Sequence, residues 1–261
     1  KINILSNIPN DFEYRVTKDP LTDSLNFWYK PRLKAQDSLV FSVRNSDYSE
    51  EFTVKLSEQT RDSLFFGASP RSSIGFNENL KISASVPMVS MDQNNLVIRD
   101  KDSTEISYTY KLDTLNNTYV ISFDKTESNT YNIQAQPETF LDFYGNSNDT
   151  LNYRVTTKTF ADYGNIRLTL FNAKYPIIAQ MTDAKGEVMA EIYSTKPEPL
   201  DFRHLTPSVY YLRVVFDENG NGKYDSGNYL KKIQPERISH YTDPIEVRAN
   251  WDPIIDFTLL D

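Results

Sequence analysis

A chain of 261 residues without a single cysteine offers no disulfide framework, no thiolate metal site and no thiol nucleophile, and it is longer than one ordinary β-sandwich of roughly 100 residues. Its formal net charge of -8 is spread along the sequence rather than gathered in a tail, which argues against nucleic acid or an anionic membrane surface as partner. An apolar content of 39%, with 17 Tyr and 15 Phe, excludes disorder and favours strands.

In chain order the sequence is a succession of short alternating runs separated by Asn, Asp, Pro, Ser and Gly clusters, with no helical period sustained over ten or more residues. The start, Lys1, has no signal peptide ahead of it and reads as a cut or processed end; a lipid-carrying cysteine upstream would leave the same sequence. No apolar run approaches bilayer length. Residues 1–61 form a β-rich module that is short for an independent sandwich, reads as the tail of a domain truncated upstream, and is expected to lean on its neighbour. The polar stretch 57–62 breaks the rhythm before a second module, 62–157. There Ile106-Ser-Tyr-Thr-Tyr-Lys111 and Thr118-Tyr-Val-Ile-Ser-Phe123 flank a polar turn and predict a hairpin. A second break, at 156–163, opens a third module, 158–261, with a meander of strands predicted at 166–171, 177–181 and 188–193. The expected fold class is all-β, built from consecutive sandwich modules.

The most pointed chemical pattern is Asp217-x-Asn219-x-Asn221-Gly222-x-x-Asp225. Oxygen-bearing side chains recur at every second position around a glycine in sixth place, which is the spacing of an EF-hand calcium loop. Asp217, Asn219, Asn221 and Asp225 would supply side-chain oxygens and Lys223 its backbone carbonyl, and the ion would rigidify the loop without catalysing anything. Two departures weaken the match: the twelfth position is Asn228 instead of a bidentate Glu, and the loop follows a predicted strand, 209–216, instead of a helix. The competing reading is a long hairpin loop whose Asn, Asp and Gly tolerate left-handed backbone.

Catalytic constellations are sparse. His204 and His240 are the two histidines and do not form a ligand-spaced pair; each reads as a partly exposed turn residue. The sequence has no Gly-x-Ser-x-Gly elbow and no dinucleotide fingerprint, and 8 glycines leave little material for phosphate-cradling loops. Trp28 and Trp251 are candidate sugar-stacking platforms, with core packing the commoner fate for both; Tyr210 and Tyr211 fall on opposite faces of one strand.

Two resemblances then add to this reading. Lys81-Ile-Ser-Ala-Ser-Val-Pro87, Asn129-Thr-Tyr-Asn-Ile-Gln-Ala135, Phe143-Tyr-Gly145 and Asn148-Asp-Thr-Leu151 resemble the bacterial Ig-like domain of Bacteroidetes surface lipoproteins. Pro199-Leu-Asp-Phe-Arg-His-Leu, Asp217-Glu-Asn-Gly-Asn-Gly-Lys-Tyr-Asp-Ser-Gly227 and Asn228-Tyr-Leu-Lys-Lys-Ile-Gln-Pro-Glu236 resemble the prealbumin-like C-terminal module of the same lipoproteins. The resemblance covers roughly residues 60–261 and implies Ig-like and prealbumin-like sandwiches in a protein exported to the periplasm or cell surface and associated with the outer membrane. The triplet Asp-Ser/Thr-aliphatic/Thr, at Ser24, Ser38, Ser63, Ser103, Thr114 and Thr150, resembles the O-glycosylation signal of exported Bacteroidetes proteins, although such pairs are also ordinary turn formers.

The functional expectation is a non-catalytic structural or protein-interaction segment, docking onto an outer-membrane or surface complex. Calcium is its candidate structural cofactor, nucleic acid is excluded, and membrane contact comes only through an upstream lipid anchor. The alternative is a carbohydrate-binding or adhesive module.

Overall fold

The computed structural model describes residues 2–33, 38–45, 48–56 and 63–259. Among these residues the regular structure is β-strand, apart from two single-turn 3-10 helices at Gln93–Asn95 and Phe160–Asp162. The chain divides into two compact units, residues 1–74 with 78–157, and residues 75–77 with 158–261. Residues 1–61 and 62–157, separate modules in the sequence reading, fall in the same unit; the stretch 57–62 lies outside the described residues.

The first unit opens with β1 (Ile2–Ile4), β2 (Glu13–Lys18), β3 (Leu25–Lys30), β4 (Ser38–Asn45) and β5 (Tyr48–Lys55). These make a three-stranded antiparallel sheet in the order β1-β4-β5 and a separate β2-β3 hairpin. The hairpin meets the sheet through Phe27, whose ring sits edge-on to Phe41 at 4.8 Å. Leu39 and Leu56 are the fully buried apolar side chains of this segment among the described residues, a thin core for five strands. Support comes from the neighbouring strands of the same unit: the Lys18 N–H donates to the Leu115 carbonyl at 2.7 Å, and the Arg15 and Lys30 cations lie 5.3 and 4.8 Å from the centre of the Phe143 ring.

The rest of the unit is a sandwich. Strands β6 (Phe66–Ser69), β7 (Leu80–Ala84), β8 (Met88–Met91), β9 (Leu96–Arg99), β10 (Tyr108–Asp113), β11 (Thr118–Phe123), β12 (Thr130–Ala135), β13 (Phe140–Asp142) and β14 (Leu151–Thr156) follow in sequence. They form sheets ordered β10-β11-β7-β6 and β14-β12-β9, with β13 paired to β8. Period-two alternation puts Leu80 and Ile82, Tyr119, Ile121 and Phe123, and Tyr131, Ile133 and Ala135 into one core. The predicted hairpin is β10-β11, closed between Asp113 and Thr118. Its turn uses Asn117 at φ 49°. That side chain is buried: its Oδ1 accepts from the Met88 N–H, and its amide donates to the Ala84 and Val86 carbonyls, each at 2.8 Å.

The second unit carries β15 (Gly164–Phe171), β16 (Ile177–Thr182), β17 (Val188–Ser194), β18 (Leu200–Leu205), β19 (Ser208–Phe216), β20 (Ile238–His240), β21 (Ile245–Val247) and β22 (Ile254–Thr258). One sheet runs β18-β15-β22, with β15 and β22 parallel; the other runs β17-β16-β19-β20, and β21 also pairs with β19. Ile166 and Leu168, Ile177, Ala179 and Met181, and Tyr210, Leu212, Val214 and Phe216 fill the core between them. Each fully buried Leu or Ile contributes roughly 1.5–3 kcal/mol. Every residue of β16 is buried, because its outer face is covered too: Gln180 donates to Glu191 at 2.6 Å and accepts from Arg213 at 2.7 Å.

Alternation shifts at the end of β18. Gly164 pairs with Leu205 while Ile166 pairs with Phe202, so Arg203 and His204 oppose the single residue Asn165. This β-bulge, with His204 at φ 55°, turns Leu205 into the core. Gly164 is required there, since a Cβ would stand 2.5 Å from the Arg248 carbonyl oxygen.

Candidate metal-binding loop and interaction edge

The loop that leaves β19 is anchored by Asp217, which is fully buried. Its Oδ1 accepts from the Asn221 N–H at 3.1 Å and its Oδ2 from the Gly222 N–H at 2.8 Å, while its own N–H donates to the Pro176 carbonyl. Gly220 and Gly222, both at φ 71°, curl the chain so that Asn219 and Asn221 converge: both amides donate to Oδ2 of Asp225, Asn221 at 2.7 Å. Asn221 Oδ1 also accepts from the Lys223 N–H at 2.8 Å. The structure therefore brings Asn219, Asn221 and Asp225 into mutual contact and ties Asp217 to the backbone of the same curl.

Spacing alone missed Glu236. The chain after Asp225 doubles back through the paired residues Asn228 and Ile233, and Gly227 permits the return, since a Cβ there would lie 2.8 Å from the Ile233 oxygen and from Pro235. Glu236 arrives beside Asp225: Asp225 N–H donates to Glu236 Oε2 at 2.9 Å, and Glu236 N–H donates to the Asp225 carbonyl at 3.1 Å. Glu236 Oε1 is buried and has no hydrogen-bond partner. Among the described residues no group of three or more His, Asp or Glu side chains gathers closely enough to hold a metal by itself, so any ion here depends on amide and carbonyl oxygens as well.

The two tryptophans part company. Trp28 is half-buried and its indole N–H donates to Thr17 Oγ1 at 2.8 Å, whereas Trp251, for which the core was expected, is 47% exposed with the Arg248 guanidinium 6.0 Å from its ring. Tyr210 is buried and Tyr211 exposed, as opposite faces require. His204 is half-buried among rings, stacked on Phe160 at 5.0 Å and against Phe76 at 4.7 Å. Burial, then the Arg203 charge, pushes its imidazole below the usual histidine range. The groove of about 480 Å³ beside it is lined by Arg167, Asp201, Arg203 and Asp252, but Asp201 is committed to a two-point ion pair with Arg167 at 2.7 and 2.8 Å.

Ser24, Ser38, Ser63, Ser103, Thr114 and Thr150 are all exposed, which suits both sugar attachment and turn formation. Asp113, which precedes Thr114, caps its turn by accepting from the Leu115 and Asn116 N–H groups.

A different surface stands out on the first unit. β5 is the margin of its sheet among the described strands, and all eight of its residues are exposed. Tyr48, Phe52 and Val54 share one face, at 51, 42 and 47% exposure. They continue the apolar face of β4, where Val54 is paired with the buried Leu39 and Phe52 with Phe41; the ring of Phe27 reaches Phe41, and among the described strands β5 pairs with β4 alone.

No family model matches the sequence, and no curated protein matches it. Solved structures similar to it include the major pilin subunit BcpA of Bacillus cereus, 11% identical over 95% of this chain and 94% of that one, with a TM-score of 0.25. The TIE protein of Bacillus anthracis is 10% identical over 77% of this chain and 41% of that one, at 0.24. An I-band fragment of titin is 14% identical over 83% of each chain, at 0.21. Identities and scores this low carry no argument about role, and the fold described above rests on the strands and cores of the chain itself. No described helix is long and apolar enough to cross a membrane.

Proposed function

We propose that this chain is a non-catalytic structural and protein-interaction segment of an exported cell-envelope lipoprotein, docking onto an outer-membrane or surface complex. The observation that supports this reading best is the β5 edge: eight exposed residues at the margin of a sheet, with Tyr48, Phe52 and Val54 on one face. Unpaired edge backbone with an apolar face is the surface onto which an extended strand of a partner adds, main-chain hydrogen bonds giving affinity and alternate side chains giving specificity. Glu50 and Glu51 on the same strand favour a partner segment bearing Lys or Arg. The sandwich modules are the spacer that presents this edge.

The test is affinity capture from gently solubilised native membranes with the tagged full-length protein and with a Phe52→Glu, Val54→Glu double variant. A stoichiometric partner with the native protein, lost with the variant, supports the reading; equal capture by both overturns the edge as the docking site. The carbohydrate-binding alternative rests on Trp251 alone, since the Trp28 indole is half-buried and already paired. A solitary native protein that binds a glycan array, with binding abolished by Trp251→Ala, would replace docking with that alternative.

A further inference from the structure

The hairpin tip at residues 228–233 lies outside the core of the second unit, and its chemistry differs from that of the β5 edge. Asn228-Tyr-Leu-Lys-Lys-Ile233 carries two lysines and no acid, and it displays Tyr229, Leu230 and Ile233 at 96, 75 and 56% exposure. We propose that this tip inserts into the headgroup region of an anionic phospholipid bilayer, a lipid contact made by the chain's own side chains.

Composition is the first support. A tyrosine ring with its polar hydroxyl suits the boundary between water and lipid, and Leu230 and Ile233 supply the apolar part that goes below it. Lys231 and Lys232 are exposed, and a lysine lays its stem along apolar surface while its ammonium group reaches out to a phosphate. The backbone is the second. A polar backbone group that leaves water for lipid must be satisfied within the chain, and the tip closes on itself: the Asn228 N–H donates to the Ile233 carbonyl at 2.9 Å, the Ile233 N–H to the Asn228 carbonyl at 3.0 Å and the Lys232 N–H to the Tyr229 carbonyl at 3.2 Å. The Lys231 N–H donates to Asn228 Oδ1 at 3.0 Å, and Lys232, at φ 52°, tightens the turn. Gly227 lets the two arms press together, since a Cβ there would stand 2.8 Å from the Ile233 oxygen and from Pro235. The tip is therefore ordered in advance, which lowers the entropy lost on binding. Shape is the third: the apolar side chains sit on a turn whose named backbone groups are spent on one another, so the tip offers a protrusion for a deformable surface and not, as β5 does, a strand edge for a peptide.

The net charge of -8 that argues against an anionic membrane belongs to the whole chain, but exposed charges more than about 8–10 Å apart are largely screened at physiological ionic strength. What the bilayer meets at the tip is the local charge of the two lysines. The nearest acids in sequence, Asp225 and Glu236, stand at the foot of the hairpin, where Asp225 accepts from the Asn219 and Asn221 amides and Glu236 from the Asp225 N–H. Two cations and one short apolar turn make a weak contact, one that orients the chain at a lipid surface without holding it there alone. It is independent of the β5 edge.

The experiment is flotation of the full chain, at millimolar lipid, with vesicles of phosphatidylcholine and phosphatidylglycerol in equal parts and with vesicles of phosphatidylcholine alone. Native protein is expected to bind the mixed vesicles and to bind the neutral ones at least about tenfold more weakly. On mixed vesicles Lys231→Gln should weaken binding about fivefold and the Leu230→Ser, Ile233→Ser double variant at least about tenfold, while Tyr211→Ser, at an exposed aromatic of β19, stays within about twofold. The chain has no cysteine, so Gln234→Cys carries a single polarity-sensitive dye beside the tip; a blue shift on mixed vesicles reports insertion, which adsorption by charge alone would not give. Thermal unfolding checks that the variants are folded, and Lys231→Gln carries the test if the double variant is not. The Phe52→Glu, Val54→Glu variant should float like native, which separates this contact from the docking edge. Native protein that does not float with mixed vesicles overturns the proposal, and so does equal flotation of a folded Leu230, Ile233 variant. A co-purified protein lost with that variant, from a native chain that binds no vesicle, would give the tip to a protein partner instead.

Discussion

Residues 2–56 and residues 158–259 are written in the same alternating pattern, but they reach different ends. In the later unit β16 is buried on both faces, by the second sheet on one side and by the Gln180, Glu191 and Arg213 network on the other. In the early segment a two-stranded hairpin meets a three-stranded sheet, and among the described residues Tyr48, Phe52 and Val54 of β5 stay exposed. The difference teaches that alternation specifies an apolar face and not what lies against it. Where the cover is built into the chain the face is core; where it is not, the face is available to another molecule.

Substitutions in the two regions sharpen this contrast. The largest effect is expected from Leu212→Ala, which empties a side chain that is 1% exposed in the β16-β19 core; a loss of about 2–5 kcal/mol should appear as a lowered denaturant midpoint of the second unit. Asn117→Ala comes next, at about 2–3 kcal/mol, because it leaves the Met88 N–H and the Ala84 and Val86 carbonyls without their partner. Phe52→Ser on the open strand should move stability by less than about 0.5 kcal/mol. A change at Phe52 as large as that at Leu212 would mean that β5 is covered within the chain, and would break the contrast.

The smallest expected effect is a pH dependence. Burial lowers the His204 imidazole in the folded state, so the folded protein binds this proton less readily than the unfolded chain does. The contribution is fully present above the ordinary histidine value of about 6.5 and is lost as pH falls through the lowered folded value. His204→Asn, whose side chain tolerates the left-handed φ at this bulge, should show a shallower fall in melting temperature between pH 7 and 5 than the native protein.

Strand content, the β10-β11 hairpin and the opposite fates of Tyr210 and Tyr211 were legible because period-two alternation is a local property. The bulge at His204 was not, since it depends on Asn165 receiving the His204 N–H at 2.9 Å from another strand. Asn117, Asn129 and Asn148 are all buried and close loops from within; Asn148, for example, accepts from the Phe140 N–H and donates to the Gln136 carbonyl. An asparagine that points outward and one that points inward have the same spelling. The contacts of Asn219 and Asn221 with Asp225 follow from the spacing between residues 217 and 225, whereas the approach of Glu236 to Asp225 depends on a return of the chain that spacing does not show. The one available signal was Gly227, a glycine two residues past the loop that marks a close backbone approach.

The docking edge is the central claim, and site-specific photocrosslinking in living cells tests it most directly. A photoreactive residue would be placed at Phe52 of the full-length protein, and in parallel at Tyr211, an exposed aromatic of the second unit. One defined protein adduct from position 52 and none from position 211 is the predicted result. No adduct at position 52 from a protein that still co-purifies with its partner would contradict the account.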